Sequence, residues 1–256
     1  MDFEQVKAYW EQRAGNDTSA QSTTQDFYLR DIEYRVVSEL IRKYAPKAVM
    51  DVGCGDARTT VRLAAEYRDI VFSGGDYASA MVKNARSNIS TMGINNLNVM
   101  ECNVFRSLPV QGQEMIYTTR CLINLTDWNM QQAAIENIGN ALAPSGIFVM
   151  IENFIEGHDN FNRVRSEFGL PEIPVREHNL FFERQKLIDF VAGSFEVLEE
   201  VNISSSYYLA SRAIYSRICQ DQGENPDYFD THHQYASRLP FCGEYGPVRM
   251  ICMRRR

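Results

Sequence analysis

Ala48-Val49-Met50-Asp51-Val52-Gly53-Cys54-Gly55-Asp56-Ala57-Arg58 runs from small and apolar residues into an acid, then two glycines, then a helical pattern. It reads as a buried strand, a tight turn and a helix. Asp51 stands at the carboxyl end of the strand. Gly53 and Gly55 lack a Cβ, so the turn can be tight and a ligand can lie directly on the backbone. The unpaired amides at the start of the following helix point into the same space. Phosphate is the usual guest of such a turn, but an acid at its first position repels phosphate. Asp51 suits a ligand with a positive group, such as an ammonium or sulfonium.

Downstream, the alternation continues. A helix is expected from about Thr59 to Tyr67, then a strand Ile70–Asp76 that again ends in an acid. The spacing from Gly55 to Asp76 is about that of one βαβ unit. A helix over Ser79–Thr91 follows, then strands at Leu97–Cys102 and Met115–Thr119. An amphipathic helix covers Trp128–Leu142, with Ala134, Ile135, Ile138 and Leu142 on one face, and a fifth strand covers Ile147–Ile151. This order predicts a doubly wound α/β fold with ligands at the carboxyl ends of the strands. Beyond it, Glu152–His178 is a long excursion without clear periodicity. A helix at Glu183–Val191 and a strand at Phe195–Ile203 follow. An insertion with helical character spans 204–246, and Val248–Met253 closes the chain as a strand.

Upstream, residues 2–14 read as a short helix with Phe3, Val6, Ala8, Tyr9 and Trp10 on its apolar side. Gly15–Gln25 is polar and reads as a connector or a lid. Asp26 can cap the next helix, which Pro46 ends.

The 256 residues fit one domain, with room for an embedded lobe, and the net charge is −7 (26 basic, 33 acidic). That charge is a poor match for nucleic acid or anionic membrane. No apolar run approaches the length of a membrane span, and the polar N-terminus does not resemble a signal peptide. None of the six cysteines forms a C-x-x-C pair and the four histidines lack zinc-finger spacing, so no metal is expected. A cytoplasmic chain with reduced thiols is the expectation.

Asp51-x-Gly53-x-Gly55 at the end of a first strand resembles the cofactor motif of the class I S-adenosylmethionine-dependent methyltransferases. The rival dinucleotide motif needs a third glycine where Arg58 stands. The resemblance implies a Rossmann-like, mostly parallel seven-stranded sheet, with an α-rich insertion before an antiparallel last strand. It implies S-adenosylmethionine as cofactor and S-adenosylhomocysteine as product. Asp51, Gly53 and Gly55 would lie along the amino-acid part of the cofactor and Asp76 would accept the ribose hydroxyls. Asn103, where the family usually has an acid, would accept from the adenine amino group, and Val104 would offer its amide. Tyr77 and Met81 would pack against adenine or ribose. Arg120 would face the cofactor.

The segment Arg120-Cys121-Leu122-Ile123-Asn124-Leu125 lacks the [Asn/Asp]-Pro-Pro-[Tyr/Phe] of enzymes that methylate base or glutamine nitrogens. It also lacks the acidic ligands of the magnesium-dependent catechol type. The Tyr9-Trp10-x-x-Arg13-Ala14 and Asn124-Leu125-Thr126-Asp127-Trp128 runs resemble bacterial enzymes that methylate small molecules or surface-polysaccharide sugars. So do His178-Asn179 and Leu239-Pro240-x-x-Gly243.

A metal-independent O-methyltransferase acting on a small-molecule or sugar hydroxyl is therefore expected. His178 and His232 are the catalytic candidates, since a histidine is the natural base for a hydroxyl near neutral pH. Asn124, Tyr208 and Arg212 are the acceptor-binding candidates. The expected layout is N-terminal helices and lid (1–45), cofactor core (46–203), acceptor-pocket insertion (204–246), and last strand and tail (247–256). Three alternatives stay open: an N-methyltransferase on an amino sugar or other small amine, an NAD-dependent oxidoreductase, and a non-catalytic cofactor-binding partner subunit; assembly as a homodimer is left open as well.

Overall fold

The computed structural model describes residues 1–16, 19 and 23–256. Part of the Gly15–Gln25 segment expected as a lid therefore lies outside the described residues. Seven strands form one sheet in the order β3-β2-β1-β4-β5-β7-β6. They are β1 (Ala48–Val52), β2 (Val71–Asp76), β3 (Leu97–Glu101), β4 (Gln113–Thr119), β5 (Leu142–Asn153), β6 (Phe195–Asn202) and β7 (Val248–Arg255). The pairings among β1 to β5 are parallel, and β7 runs antiparallel between β5 and β6. This is the expected Rossmann-like order.

Alternation along each strand builds a core on both faces. Val49, Phe72, Val149 and Cys252 pack on one side with α2 (Phe27–Tyr44) and α3 (Arg58–Glu66). Met50, Ile116, Phe148 and Ile251 pack on the other with α5 (Trp128–Ala141) and α7 (Arg184–Val191). α2 starts where Asp26 accepts the Leu29 amide at 3.0 Å, and its last carbonyls are closed by Ala45 in the left-handed region before Pro46.

α1 (Phe3–Asn16) lies against α4 (Ser79–Met92) rather than apart from the core. The Glu11 carboxylate accepts the Ser79 and Ala80 amides at 2.7 and 3.0 Å, satisfying donors at the start of α4.

Two expectations need correcting. The excursion after β5 contains a 13-residue helix, α6 (Ile155–Glu167). Its buried side chains, His158, Phe161 and Arg165, are mostly polar, so no apolar stripe betrays it. β5 also begins five residues earlier than expected, with a register shift against β4 and Ser145 at φ +60°. The insertion holds α8 (Ser205–Tyr208), a π-helical turn (Leu209–Ile214), α9 (Tyr215–Gln222) and α10 (Thr231–Ala236). No helix among the described residues is long and apolar enough to cross a membrane.

Candidate active site

A cavity of about 700 Å³ opens over the carboxyl ends of β1, β2, β4 and β5. Asp51, Asp76, Thr119 and Asn153 line it from the strands, and Gly53 and Gly55 from the turn after β1. Tyr9 and Trp10 of α1, His158 of α6, and Tyr208 and Arg212 of the insertion form the other walls. A smaller apolar pocket continues past Gly53, Asp76 and Tyr77 toward Asn103, Val104 and Leu125, with Phe3 of α1 across it.

Gly53 and Gly55 hold φ of +78° and +54°. A Cβ on Gly53 would fall 2.2 Å from Cys121 Sγ, so no other residue fits there. Asp76 fixes this turn, its Oδ2 accepting the Gly55 amide and its Oδ1 the Ala78 amide, both at 2.9 Å. Burial pushes its carboxyl up to about 6, against the pull of those amides.

Asp51 is enclosed beside Tyr117, its partner in the β1–β4 register. The Tyr117 hydroxyl donates to Asp51 Oδ2 at 2.9 Å, and the Thr60 hydroxyl donates to the same oxygen. Oδ1 has no partner. Burial pushes this carboxyl up to about 7, more than the two hydroxyls lower it.

The turn after β4 is held from beneath by Glu152, a role the sequence pattern does not assign to it. Its carboxylate accepts the Cys121, Leu122 and Ile123 amides at 3.1, 3.0 and 3.3 Å. Burial raises it to about 7. A signal existed in the sequence: like Asp51 and Asp76, it is an acid directly closing an apolar run. Arg120 opens this turn at φ +50° and forms a two-point ion pair with the buried Glu33, at 2.6 and 3.1 Å. Asn124 lines the cavity, but its amide is committed within the protein. Its Nδ2 donates to the Arg120 and Cys121 carbonyls, and its Oδ1 accepts from Trp10 and Asn179. The structure thus gives Asn124 a bracing place rather than a free acceptor-binding group.

His178 lines the cavity, its ring stacked on Tyr9 at 4.7 Å and edge-on to Trp10 at 6.1 Å. Burial, then the charges of Arg176 and Arg13, hold its pKa below the usual imidazole value. His232 does not share this place. It stacks on Tyr215 at 4.8 Å, bonds the Ala210 carbonyl at 3.1 Å and is not part of the cavity wall. The helix that carries it turns it into the insertion. His158, not singled out from the sequence, is instead in the wall, with Nε2 3.2 Å from Asn162 Nδ2. Met81 and Tyr77 line the cavity, and Tyr77 Oη is buried without a partner.

A methyltransferase-domain family matches residues 45–169, which contain the glycine turn, Asp76 and the turn after β4. Residues 45–169 carry a methyltransferase domain, consistent with the class I S-adenosylmethionine-dependent type.

No curated protein matches the sequence. Among solved structures, the N-methyltransferase NodS of Bradyrhizobium japonicum, in complex with S-adenosyl-L-homocysteine, is 11% identical (TM-score 0.58). That match covers 96% of this chain and 98% of NodS. The StiE O-methyltransferase segment is 14% identical over 89% of this chain and 74% of its own (TM-score 0.58). The [4+2]-cyclase SpnF is 17% identical over 87% and 81% (TM-score 0.58). At these identities a fold is shared while the described reactions differ.

The methyltransferase uses S-adenosylmethionine, and the residues present fit that cofactor. The enclosed Asp51 Oδ1 is an acceptor without a donor, and the backbone of Gly53 and Gly55 lines the same cavity. The smaller pocket is apolar, as a purine ring needs. Among the described residues no cluster of three or more His, Cys, Asp or Glu could hold a metal ion.

Proposed function

We propose that this methyltransferase transfers its methyl group, without a metal, to a hydroxyl of a small polar acceptor such as a sugar, and that His178 takes the hydroxyl proton. The observation that carries this is His178 itself. It lies in the wall of the same cavity as Asp51 and Gly53, and its surroundings keep the imidazole neutral and able to accept a proton. The flanking Arg176 and Arg13 also disfavour a protonated amine as acceptor.

In this reading Asp51 holds the cofactor ammonium, Asp76 the ribose hydroxyls, and Asn103 and Val104 the adenine edge. Tyr77 and Met81 pack beside them, and Arg120 shapes the turn through its pair with Glu33. Residues 46–203 and 247–256 form the cofactor half. Residues 1–45 and 204–246 wall the acceptor half, with Tyr208 and Arg212 facing it.

When bound by Asp51, Gly53, Gly55 and Asp76, S-adenosylmethionine would supply an electrophilic methyl on sulfur, with a neutral thioether as the leaving group. The chain would contribute placement, presenting the acceptor oxygen to the bound cofactor's methyl beside His178 and keeping water out. As the oxygen–methyl bond forms, the oxygen releases its proton to the neutral His178 ring. His178 then returns the proton to solvent.

A screen of hydroxyl and amine acceptors with methyl-labelled cofactor tests the proposal. Label on hydroxyl compounds, lost in His178→Ala, is the expected result. Transfer to amines alone would overturn it.

A further inference from the structure

The end of the cavity walled by the insertion holds a buried arginine, and a second buried arginine lies directly behind it. Arg212 sits in the π-helical turn, lines the cavity and is 8% exposed. Its Nη2 donates to Asp26 Oδ2 at 2.6 Å, while its Nη1 is buried with no hydrogen-bond partner. Arg165 of α6 is 7% exposed. Its guanidinium donates to main-chain carbonyls, that of Pro171 at 2.8 Å and that of Arg212, and lies over the Phe161 ring at 5.9 Å.

Of these two buried guanidinium groups, only that of Arg212 is paired with a carboxylate, Asp26. Asp26 is moreover already occupied, since its Oδ1 also accepts the Tyr207 hydroxyl at 2.7 Å and the Leu29 amide. A buried charge without its counter-charge is costly, and so is a buried donor without an acceptor. One group relieves both: an anion with oxygen acceptors, for which a guanidinium fork is the matching donor. The π turn is the local device that aims Arg212, since such turns insert a residue and rotate the following side chains. Tyr228, 43% exposed, lies over the guanidinium at 3.9 Å.

We propose that the acceptor carries an anionic group, a carboxylate or a phosphate, seated on Arg212 with Arg165 as the second buried positive charge. The hydroxyl to be methylated is then presented from that anchor toward His178. This rests on the reading that the cavity is the acceptor site. It adds a specificity-determining residue, Arg212, and a charge requirement on the acceptor.

The test is calorimetric titration of the S-adenosylhomocysteine-saturated protein with inorganic phosphate, acetate and glycerol. An anion should bind in addition to the nucleoside ligand, and glycerol should not. Phosphate bound in preference to acetate assigns a phosphorylated acceptor, and the reverse a carboxylated one. Arg212→Gln should weaken anion binding at least tenfold. Asp26→Asn, which removes the competing carboxylate while keeping a residue able to cap α2, should tighten it at least threefold. If Arg212→Gln does not fold, Asp26→Asn decides alone.

Absence of anion binding to the saturated wild type overturns the proposal. So does anion binding seen only without S-adenosylhomocysteine, which would assign the arginines to the cofactor's own carboxylate. Equal affinity in wild type and variants overturns it as well. No turnover is measured, so failure here leaves the hydroxyl reading intact. Conversely, a screen that finds only amine acceptors leaves the anion result standing.

Discussion

The indole Nε1 of Trp10 donates to Asn124 Oδ1 at 3.2 Å, joining α1 to the turn after β4 across 114 residues of sequence. With Asn124 saturated by its other partners, this bond sets where the N-terminal helix lies over the cavity. Asn124→Ala should release α1, costing about 1–3 kcal/mol for the donors and acceptors left unpaired. Hydrogen exchange should rise across residues 3–16 while the sheet stays protected. Unchanged protection of α1 would show that Glu11 on α4 suffices to hold it.

Asp51→Ala and Asp76→Ala should each weaken S-adenosylmethionine binding by about 1.5–3 kcal/mol, the range for hydrogen bonds to a charged group. Both variants binding like wild type in calorimetry, with folds intact, would remove these residues from the cofactor site.

Cofactor binding should be coupled to proton release. The Asp51 carboxyl is pushed up to about 7 in the empty site, and a cationic ligand draws it back down. Between about pH 5 and 7 the empty protein thus holds a proton that the complex does not. Affinity should rise with pH through this window and flatten above it. Calorimetry at pH 6 in two buffers of different ionisation enthalpy checks this. Identical observed heats would mean that Asp51 is already charged before binding.

His178→Ala should lower turnover about 10²–10⁴-fold with cofactor affinity near wild type. At saturating cofactor, the acid limb of kcat should fall below the ordinary imidazole range, because burial, Arg176 and Arg13 all favour the neutral ring. Arg176→Gln should move that limb upward. A loss under about tenfold in His178→Ala would leave placement alone to drive the reaction, with solvent taking the proton.

Chelation should leave turnover unchanged, since the turn after β4 offers backbone amides and a guanidinium where a magnesium site needs carboxylates. Loss of activity in EDTA with rescue by magnesium would refute this.

The sheet was legible because its signals are local. Asp51 and Asp76 close apolar runs, and the glycines between them permit only a tight turn. Strand limits agree within a few residues except at β5, where Pro144-Ser145-Gly146 reads as a break but is carried inside the strand by a register shift. α6 was hidden because it buries His158 and Arg165 rather than an apolar stripe. That is also why His158 was missed. His232 was misplaced for a related reason: a helix's rotation about its own axis is set by what packs on it, here Tyr215 and Ala210, and not by its sequence alone. Glu33, the partner of Arg120, lies 87 positions away, a distance at which pattern gives no guidance.

The place of β7 has a consequence for synthesis. This strand is made last of the seven, yet it lies between β5 and β6, which do not pair with each other. About a hundred residues separate β5 from β7, on the order of 5–20 s at the usual pace of translation. Throughout that interval the nascent chain presents Ile147 to Ile151 along an unpaired strand edge, a template for joining a neighbour on the same polysome. A chain cut short in the insertion would leave a five-stranded sheet open along β5, with β6 unpaired. The cell's holding chaperones, rather than the finished protein's own stability, would then decide whether that chain is rescued or lost.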